Sequence, residues 1–321
     1  MKKKIILVSG DPNSINSEII FKSWKKLNIS VQRKIYLISN YDLIKKQFKK
    51  LNYSVKVRQV ENINEDIKDA SLKIININLK FNNPFNITKT KASRFVMESL
   101  NLAHNLASNK SVLGIINCAI DKTLLSKNKI GVTEYLASKC NIKNHSEVML
   151  IRNKKLSVSP VTTHLDIRDI SKKINKIKII NKIKTIENWF RKKFKIKPKI
   201  GILGLNPHNA ELRFKSEEKR IIIPAIKKLK KIGIKINGPL VSDTVFIKDY
   251  KNYDIIVGMF HDQVLGPFKA LFKFDAINIT LGLKYLRVSP DHGTATNLIG
   301  KNKADPTSLI KCINFVNKFK P

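Results

Sequence analysis

Cysteine is scarce in this 321-residue chain: Cys118, Cys140 and Cys312 are the only three. Their number is odd, they lie far apart and no CxxC spacing occurs. That argues against a disulfide framework or a thiolate zinc site and for a reducing, cytoplasmic setting. No apolar run approaches the length of a membrane span. The opening run, Lys2 to Lys4 followed by Ile5 to Val8, passes straight into Gly10-Asp11-Pro12 without a small-residue cleavage site, so it reads as a first strand and not as a signal peptide. Acidic residues are few, 24 against 62 Lys and Arg, for a formal net charge of +38. Such a charge favours anionic substrates and cofactors in general. The excess is mostly lysine, however, and is spread along the whole chain with heavy use of Ile and Asn. Those three residues are what AT-rich codons supply, and the clustering with interleaved aromatics that marks a nucleic-acid surface is missing. Neither a nucleic-acid nor a membrane partner is expected. Two phosphate-binding signatures are also absent. No GxGxxG follows the first apolar run, and no GxxxxGK[ST] loop occurs. No period of 20–50 residues repeats, which excludes a solenoid.

What is present is alternation. Short apolar, β-branched runs at 5–8, 35–38, 74–77, 112–116, 148–151, 200–205, 255–259 and 276–280 read as strands. Amphipathic segments at 17–27, 42–51, 91–107, 170–194, 217–231 and 308–319 read as helices. The pattern predicts an α/β protein with a parallel or mixed sheet. In 170–194 the residues Ile170, Ile174, Ile177, Ile180 and Ile183 recur at three- and four-residue steps, predicting one buried stripe on one long helix. Hydrophobic residues make up 42% of the chain, enough for a sizeable core.

Six histidines are available. His164, His208 and His261 share one context. Each lies just past the carboxyl end of an apolar run (156–161, 200–205 and 255–260), where α/β proteins bind their ligands. If those strands converge, three neutral imidazoles with open positions suit a catalytic divalent metal; strand-end histidines satisfied for structural reasons are the alternative. His104 lies in a helical pattern, His145 in a loop, and His292 in the polar turn Pro290-Asp291-His292-Gly293-Thr294, which can open a helix or present N–H groups to an anion. After His261, Gly266-Pro267 predicts a turn before Lys269. Asp243, Asp262, Lys269 and Asp291 are acid–base candidates. Lys269, Arg287 and the Thr133 hydroxyl are anion-binding candidates. Arginine is rare beside lysine here, and its planar fork grips phosphate or carboxylate through two bonds.

Seven stretches taken together resemble the 4-hydroxythreonine-4-phosphate dehydrogenase family of vitamin B6 biosynthesis. They are GDPNSINSEI at 10–19, GVTEYLA at 131–137, VTTHLDIRD at 161–169, LGLNPHNAE at 203–211, GPLVSDTVF at 238–246, MFHDQVLGPFK at 259–269 and NITLGLKYLRVSPDHGTA at 278–295. They run in family order across essentially the whole chain. The resemblance implies two α/β/α domains like those of isocitrate and isopropylmalate dehydrogenases. One domain would comprise 1–130 with 285–321 and the other 131–284, with the active site in the interdomain cleft at a homodimer interface. It implies one divalent metal per subunit (zinc, magnesium or cobalt) held by His164, His208 and His261, and substrate contacts from Thr133, Lys269, Asn278 and Arg287. Asp243, Asp262 and Lys269 are the groups to which catalytic proton handling is assigned. The implied reaction oxidises the secondary alcohol of 4-phosphooxy-L-threonine with NAD or NADP, and the β-keto acid then loses CO2. Cofactor-binding residues are not identified.

The chain departs from the family pattern at several points. Val132 stands where the family has a histidine. Ser14, Asn16 and Ser17 replace Gly, Gly and Pro, which predicts strain if those glycines adopt positive φ. Pro290 fixes a φ and removes an N–H, and Val264 replaces a glycine. Two other readings therefore stay open: a paralogue oxidising another phosphorylated hydroxy acid, and a non-catalytic dimeric relic that still binds metal.

Overall fold

The computed structural model describes residues 3–65, 67, 69–108, 111–125, 131–142 and 146–319; His145 lies outside them. Twelve strands are described: β1 Lys4–Val8, β2 Ile35–Ser39, β3 Val57–Val60, β4 Leu72–Asn76, β5 Val112–Asn117, β6 Val148–Arg152, β7 Ser157–Pro160, β8 Ile200–Leu203, β9 Ile236–Leu240, β10 Ile255–Gly258, β11 Ile277–Leu281 and β12 Arg287–Pro290. They divide between two compact units, residues 1–139 with 284–321, and residues 140–283.

In the first unit the strands run in the order β3-β4-β2-β1-β5-β12, and every pair is parallel. β1, β2 and β5 are buried along their whole length, as strands covered on both faces by helices must be. Ile6, Val8, Tyr36, Ile38 and Ile115 pack against Phe95, Val96 and Leu100 of the helix Lys89–Ala107. The second unit is mixed. Its order is β11-β6-β7-β10-β8-β9, with β6 antiparallel to both β11 and β7 and β7, β10, β8 and β9 mutually parallel. Val158, Leu203 and Ile256 pack against Val264, Leu265 and Phe268 of the helix His261–Phe272. This is the α/β class predicted from the alternation. Among the described residues no helix is long and apolar enough to cross a membrane.

Two local expectations are overturned. The segment 170–194 is two helices, Ile167–Lys173 and Lys176–Phe194. Ile174 is extended, and Asn175 caps the second helix by accepting from Lys178 N at 2.8 Å. The break re-phases the stripe, so Ile170, Ile174, Ile180 and Ile183 are buried while Ile177 is 70% exposed. Gly266-Pro267 makes no turn, because both residues lie inside the helix His261–Phe272. Pro267 there forgoes one helical hydrogen bond, and the buried Val264, Leu265 and Phe268 hold the helix to the sheet.

Candidate active site

In the second unit β7, β8, β9 and β10 are parallel, so their carboxyl ends share one edge of the sheet. Each is followed within a few residues by a candidate: His164 after β7, His208 after β8, Asp243 after β9 and His261 after β10. The rings of His164 and His261 face each other, centroids 5.8 Å apart and planes tilted by 39°. His261 opens its helix, and its Nδ1 donates to Asp262 Oδ1 at 2.7 Å. An ionised carboxylate only accepts, so in the neutral imidazole the ring proton sits on Nδ1 and the lone pair on Nε2.

His208 is not gathered with this pair. Its Nε2 lies 3.8 Å from Asp243 Oδ2, beyond hydrogen-bond reach. Among the described residues no three His, Cys, Asp or Glu side chains stand close enough together to hold one ion. The donor chemistry nevertheless fits a divalent metal: imidazoles are supplied from two strand ends, with a carboxylate fixing the tautomer of one of them.

The backbone under His208 is unusual. His208, Asn209, Ala210, Glu211 and Leu212 all have φ between 45° and 56°, a left-handed turn built without glycine. Each L-residue there costs about 1–2 kcal/mol, so the surroundings must hold the turn. The buried Glu218 does so from the helical side, its Oε1 accepting from Leu205 N and Asn206 N, both at 2.8 Å. Its Oε2 takes Asn206 Nδ2 at 3.1 Å. Asn209 Nδ2 donates to Pro239 O at 3.0 Å, tying the turn to β9. Sequence reasoning did not single out Glu218, and no glycine marks the turn.

Lys269 lies further along the helix that His261 opens, its Nζ 5.4 Å from the Phe274 ring centroid. Asn278 is on β11, and its Oδ1 is buried with no hydrogen-bond partner, which leaves an acceptor unused. In the first unit Arg287 opens β12 and is buried. Its Nε donates to Asn117 Oδ1 at 2.7 Å and its Nη1 to Thr133 Oγ1 at 3.4 Å. Burial lowers the pKa of its guanidinium to about 10, although the nearby Glu134 carboxylate opposes the shift. A guanidinium is the side chain that grips phosphate or carboxylate through two parallel bonds. His104 bonds Tyr285 OH through Nδ1 at 2.8 Å. His292 precedes a single short turn, Thr296–Leu298, so its loop opens no long helix.

A hollow of about 720 Å³ lined by Lys199, Lys230, Lys235 and Tyr253 opens at the amino ends of β8, β9 and β10, the edge opposite the histidines.

The family profile described as "Pyridoxal phosphate biosynthetic protein PdxA" matches residues 31–316. The chain belongs to the PdxA family. A 4-hydroxythreonine-4-phosphate dehydrogenase from Sulfurihydrogenibium sp. is 38% identical over 315 residues, covering 97% of this chain and 96% of the relative. A relative from Oceanobacillus iheyensis, provisionally named a D-threonate 4-phosphate dehydrogenase, is 35% identical over 68% of this chain and 67% of its own. Among solved structures, the 4-hydroxythreonine-4-phosphate dehydrogenase of Klebsiella pneumoniae aligns with a TM-score of 0.83 at 28% identity, covering 98% of each chain.

In this PdxA member Ser14, Asn16, Ser17, Val264, Pro290 and Val132 are accommodated locally. None of Ser14, Asn16 and Ser17 has a positive φ, so the strain predicted for that turn does not arise. Ser14 Oγ donates to Asp11 O at 2.6 Å and accepts from Asn16 N at 3.1 Å. Asn16 Nδ2 reaches Ser9 O at 2.9 Å and Ala119 O at 2.8 Å. Side-chain bonds thus brace the turn. Val264 is fully buried in the core of its unit. β12 pairs with β5 through Arg287 and Val288, so the N–H that Pro290 lacks falls beyond those pairs. Val132 packs on the apolar core of the first unit and offers no polar group.

Proposed function

We propose that this chain is a 4-hydroxythreonine-4-phosphate dehydrogenase. It oxidises 4-phosphooxy-L-threonine with NAD or NADP to 2-amino-3-oxo-4-phosphooxybutanoate, which decarboxylates to 3-amino-2-oxopropyl phosphate on the route to pyridoxine 5'-phosphate. The observation that carries the reading is the facing pair His164 and His261 with Asp262 on Nδ1 of His261, in a member of the PdxA family. His164, His208 and His261 would hold one divalent ion, zinc, magnesium or cobalt, which supplies Lewis acidity toward the reacting oxygen. Asp262 holds the proton on His261 Nδ1 and keeps Nε2 free to coordinate. Asp243, near His208, would accept or return a proton. Lys269 and the buried Arg287, with Thr133 beside it, bind the anionic ends of the substrate and so orient it. Asn278 Oδ1 takes a substrate N–H or O–H. The enzyme is a cytoplasmic homodimer. Free, buried cysteines and the exposed apolar side chains Leu212, Phe214 and Ile247, close in sequence to His208 and Asp243, support that setting and assembly.

The test is a spectrophotometric assay of metal-loaded protein with 4-phosphooxy-L-threonine and NAD or NADP. Reduced nicotinamide should accumulate, and His208→Ala should abolish it. Absorbance no greater than that of His208→Ala with zinc, magnesium and cobalt alike sinks the proposal and leaves the non-catalytic relic. Val132, together with the relative named for D-threonate 4-phosphate, favours one second reading: a paralogue specific for that other phosphorylated hydroxy acid. A higher kcat/KM on D-threonate 4-phosphate would establish it.

A further inference from the structure

We propose that Gln263 is a positioning residue whose carboxamide ties together the strand ends carrying the candidate metal ligands. The inference rests on the three-histidine reading above. Oε1 of Gln263 accepts from Met259 N at 2.6 Å, and Nε2 donates to Gly204 O at 2.7 Å and to Ser242 Oγ at 2.8 Å. The partners fix the orientation of the amide, since an N–H requires the oxygen and a C=O requires the nitrogen. Those three contacts lie on three separate chain segments. Met259 ends the β10 segment two residues before His261, Gly204 directly follows β8 four residues before His208, and Ser242 follows β9 directly before Asp243. The fourth segment joins through the same residue: Thr162, two before His164, donates to Met259 O from both N and Oγ1, at 3.1 and 2.7 Å. One side chain, with one peptide residue between, therefore sets the spacing at the root of all three histidines.

The local sequence makes room for this clasp. A Cβ on Gly258 would stand 2.8 Å from Gln263 Oε1, and one on Gly204 would overlap Asn209 Oδ1. Glycine at both positions lets the amide and the left-handed turn approach the strand ends. Replacement of Gln263 by Glu keeps the shape and the acceptor for Met259 N–H but turns an oxygen toward Gly204 O. Replacement by Leu leaves both backbone groups without their partner, the costly outcome for buried polar atoms.

Cobalt binding to the full chain, followed by calorimetry and by the visible absorption of the ion, tests the assignment without turnover. Gln263→Glu and Gln263→Leu are expected to weaken cobalt affinity by about 10- to 100-fold, as loss of groups supporting metal ligands does, and to alter the absorption bands. Ser242→Ala, which removes one of the three bonds, should weaken binding less. Leu265→Ala, a core truncation on the same helix, controls for stability alone and should bind as the wild type does despite a lower Tm. If Gln263→Leu fails to fold, Gln263→Glu and Ser242→Ala carry the test. Gln263 variants with wild-type affinity and bands, or a Leu265→Ala loss as large as theirs, overturn the inference alone. A wild-type chain that binds no cobalt, or binds it no better than His208→Ala, overturns the histidine reading and this inference with it.

Discussion

Glu218 shows how much one side chain carries in this molecule. It is fully buried in the second unit yet keeps its charge. Burial pushes its carboxyl pKa upward, but the N–H groups of Asn206 and Leu205 and the Asn206 amide outweigh burial and hold it below the ordinary 4.5. A carboxyl whose folded pKa is lowered adds stability above its unfolded pKa and loses it as pH falls through the folded one. Glu218→Gln should therefore destabilise the chain by about 1.5–3 kcal/mol at neutral pH, the range for hydrogen bonds to a charged group. In urea titrations the gap to the wild type should narrow as the buffer is taken from neutral to below about pH 4. A gap of equal width at both ends would show that the charge is not what holds Leu205 and Asn206. Because those two residues lead into the left-handed turn at His208, the same variant should also loosen that histidine. Nothing in the run NPHNAE announces such a turn, and a buried Glu ten residues past His208 reads in sequence as an ordinary helix-start residue. The strand-end position of His164, His208 and His261, by contrast, was legible, because it follows from where apolar runs stop.

Among the elements, the segment 167–194 separates pattern from packing. The isoleucine spacing suggested one helix with one stripe. Asn175 divides it, and the buried face is re-set on either side of the break. Asn175→Ala should cost about 1 kcal/mol through loss of the cap on Lys178 N. Ile177→Lys should change stability by no more than about 0.5 kcal/mol, as exposed sites do. Ile183→Ala should cost about 2–5 kcal/mol as a fully buried truncation. Comparable losses at Ile177 and Ile183 would restore the single stripe. The same contrast explains which strands could be read. The eight predicted runs are dominated by Ile, Leu and Val and are mostly buried. β3 (VRQV), β9 (INGPL) and β12 (RVSP) are short, and polar residues, glycine or proline interrupt them. Their pairing comes from neighbours distant in sequence, which no local period records. The helix across Gly266-Pro267 belongs with them: local turn chemistry lost to the burial of Val264, Leu265 and Phe268.

Over the whole molecule the charge imbalance sets the last expectation. With 62 Lys and Arg against 24 Asp and Glu, even complete pairing would leave 38 cations over. The ion pairs present are mostly exposed, such as Arg94 with Glu98 and Arg168 with Asp166, and exposed pairs contribute little. Self-repulsion among the surplus should weaken the folded state at low salt, while the same field draws a phosphorylated, carboxylate-bearing substrate toward the protein. Raising sodium chloride from about 0.01 to about 1 M shortens the Debye length from about 30 to about 3 Å and acts on both effects. Tm should rise with salt, while KM for 4-phosphooxy-L-threonine should rise and kcat stay nearly level, because long-range attraction governs encounter and not the short-range contacts of the bound complex. A KM independent of salt would place all recognition in short-range contacts and leave the lysine surplus as a product of codon bias alone. A Tm that falls with salt would mean that the few ion pairs outweigh the repulsion, contrary to the charge balance of the chain.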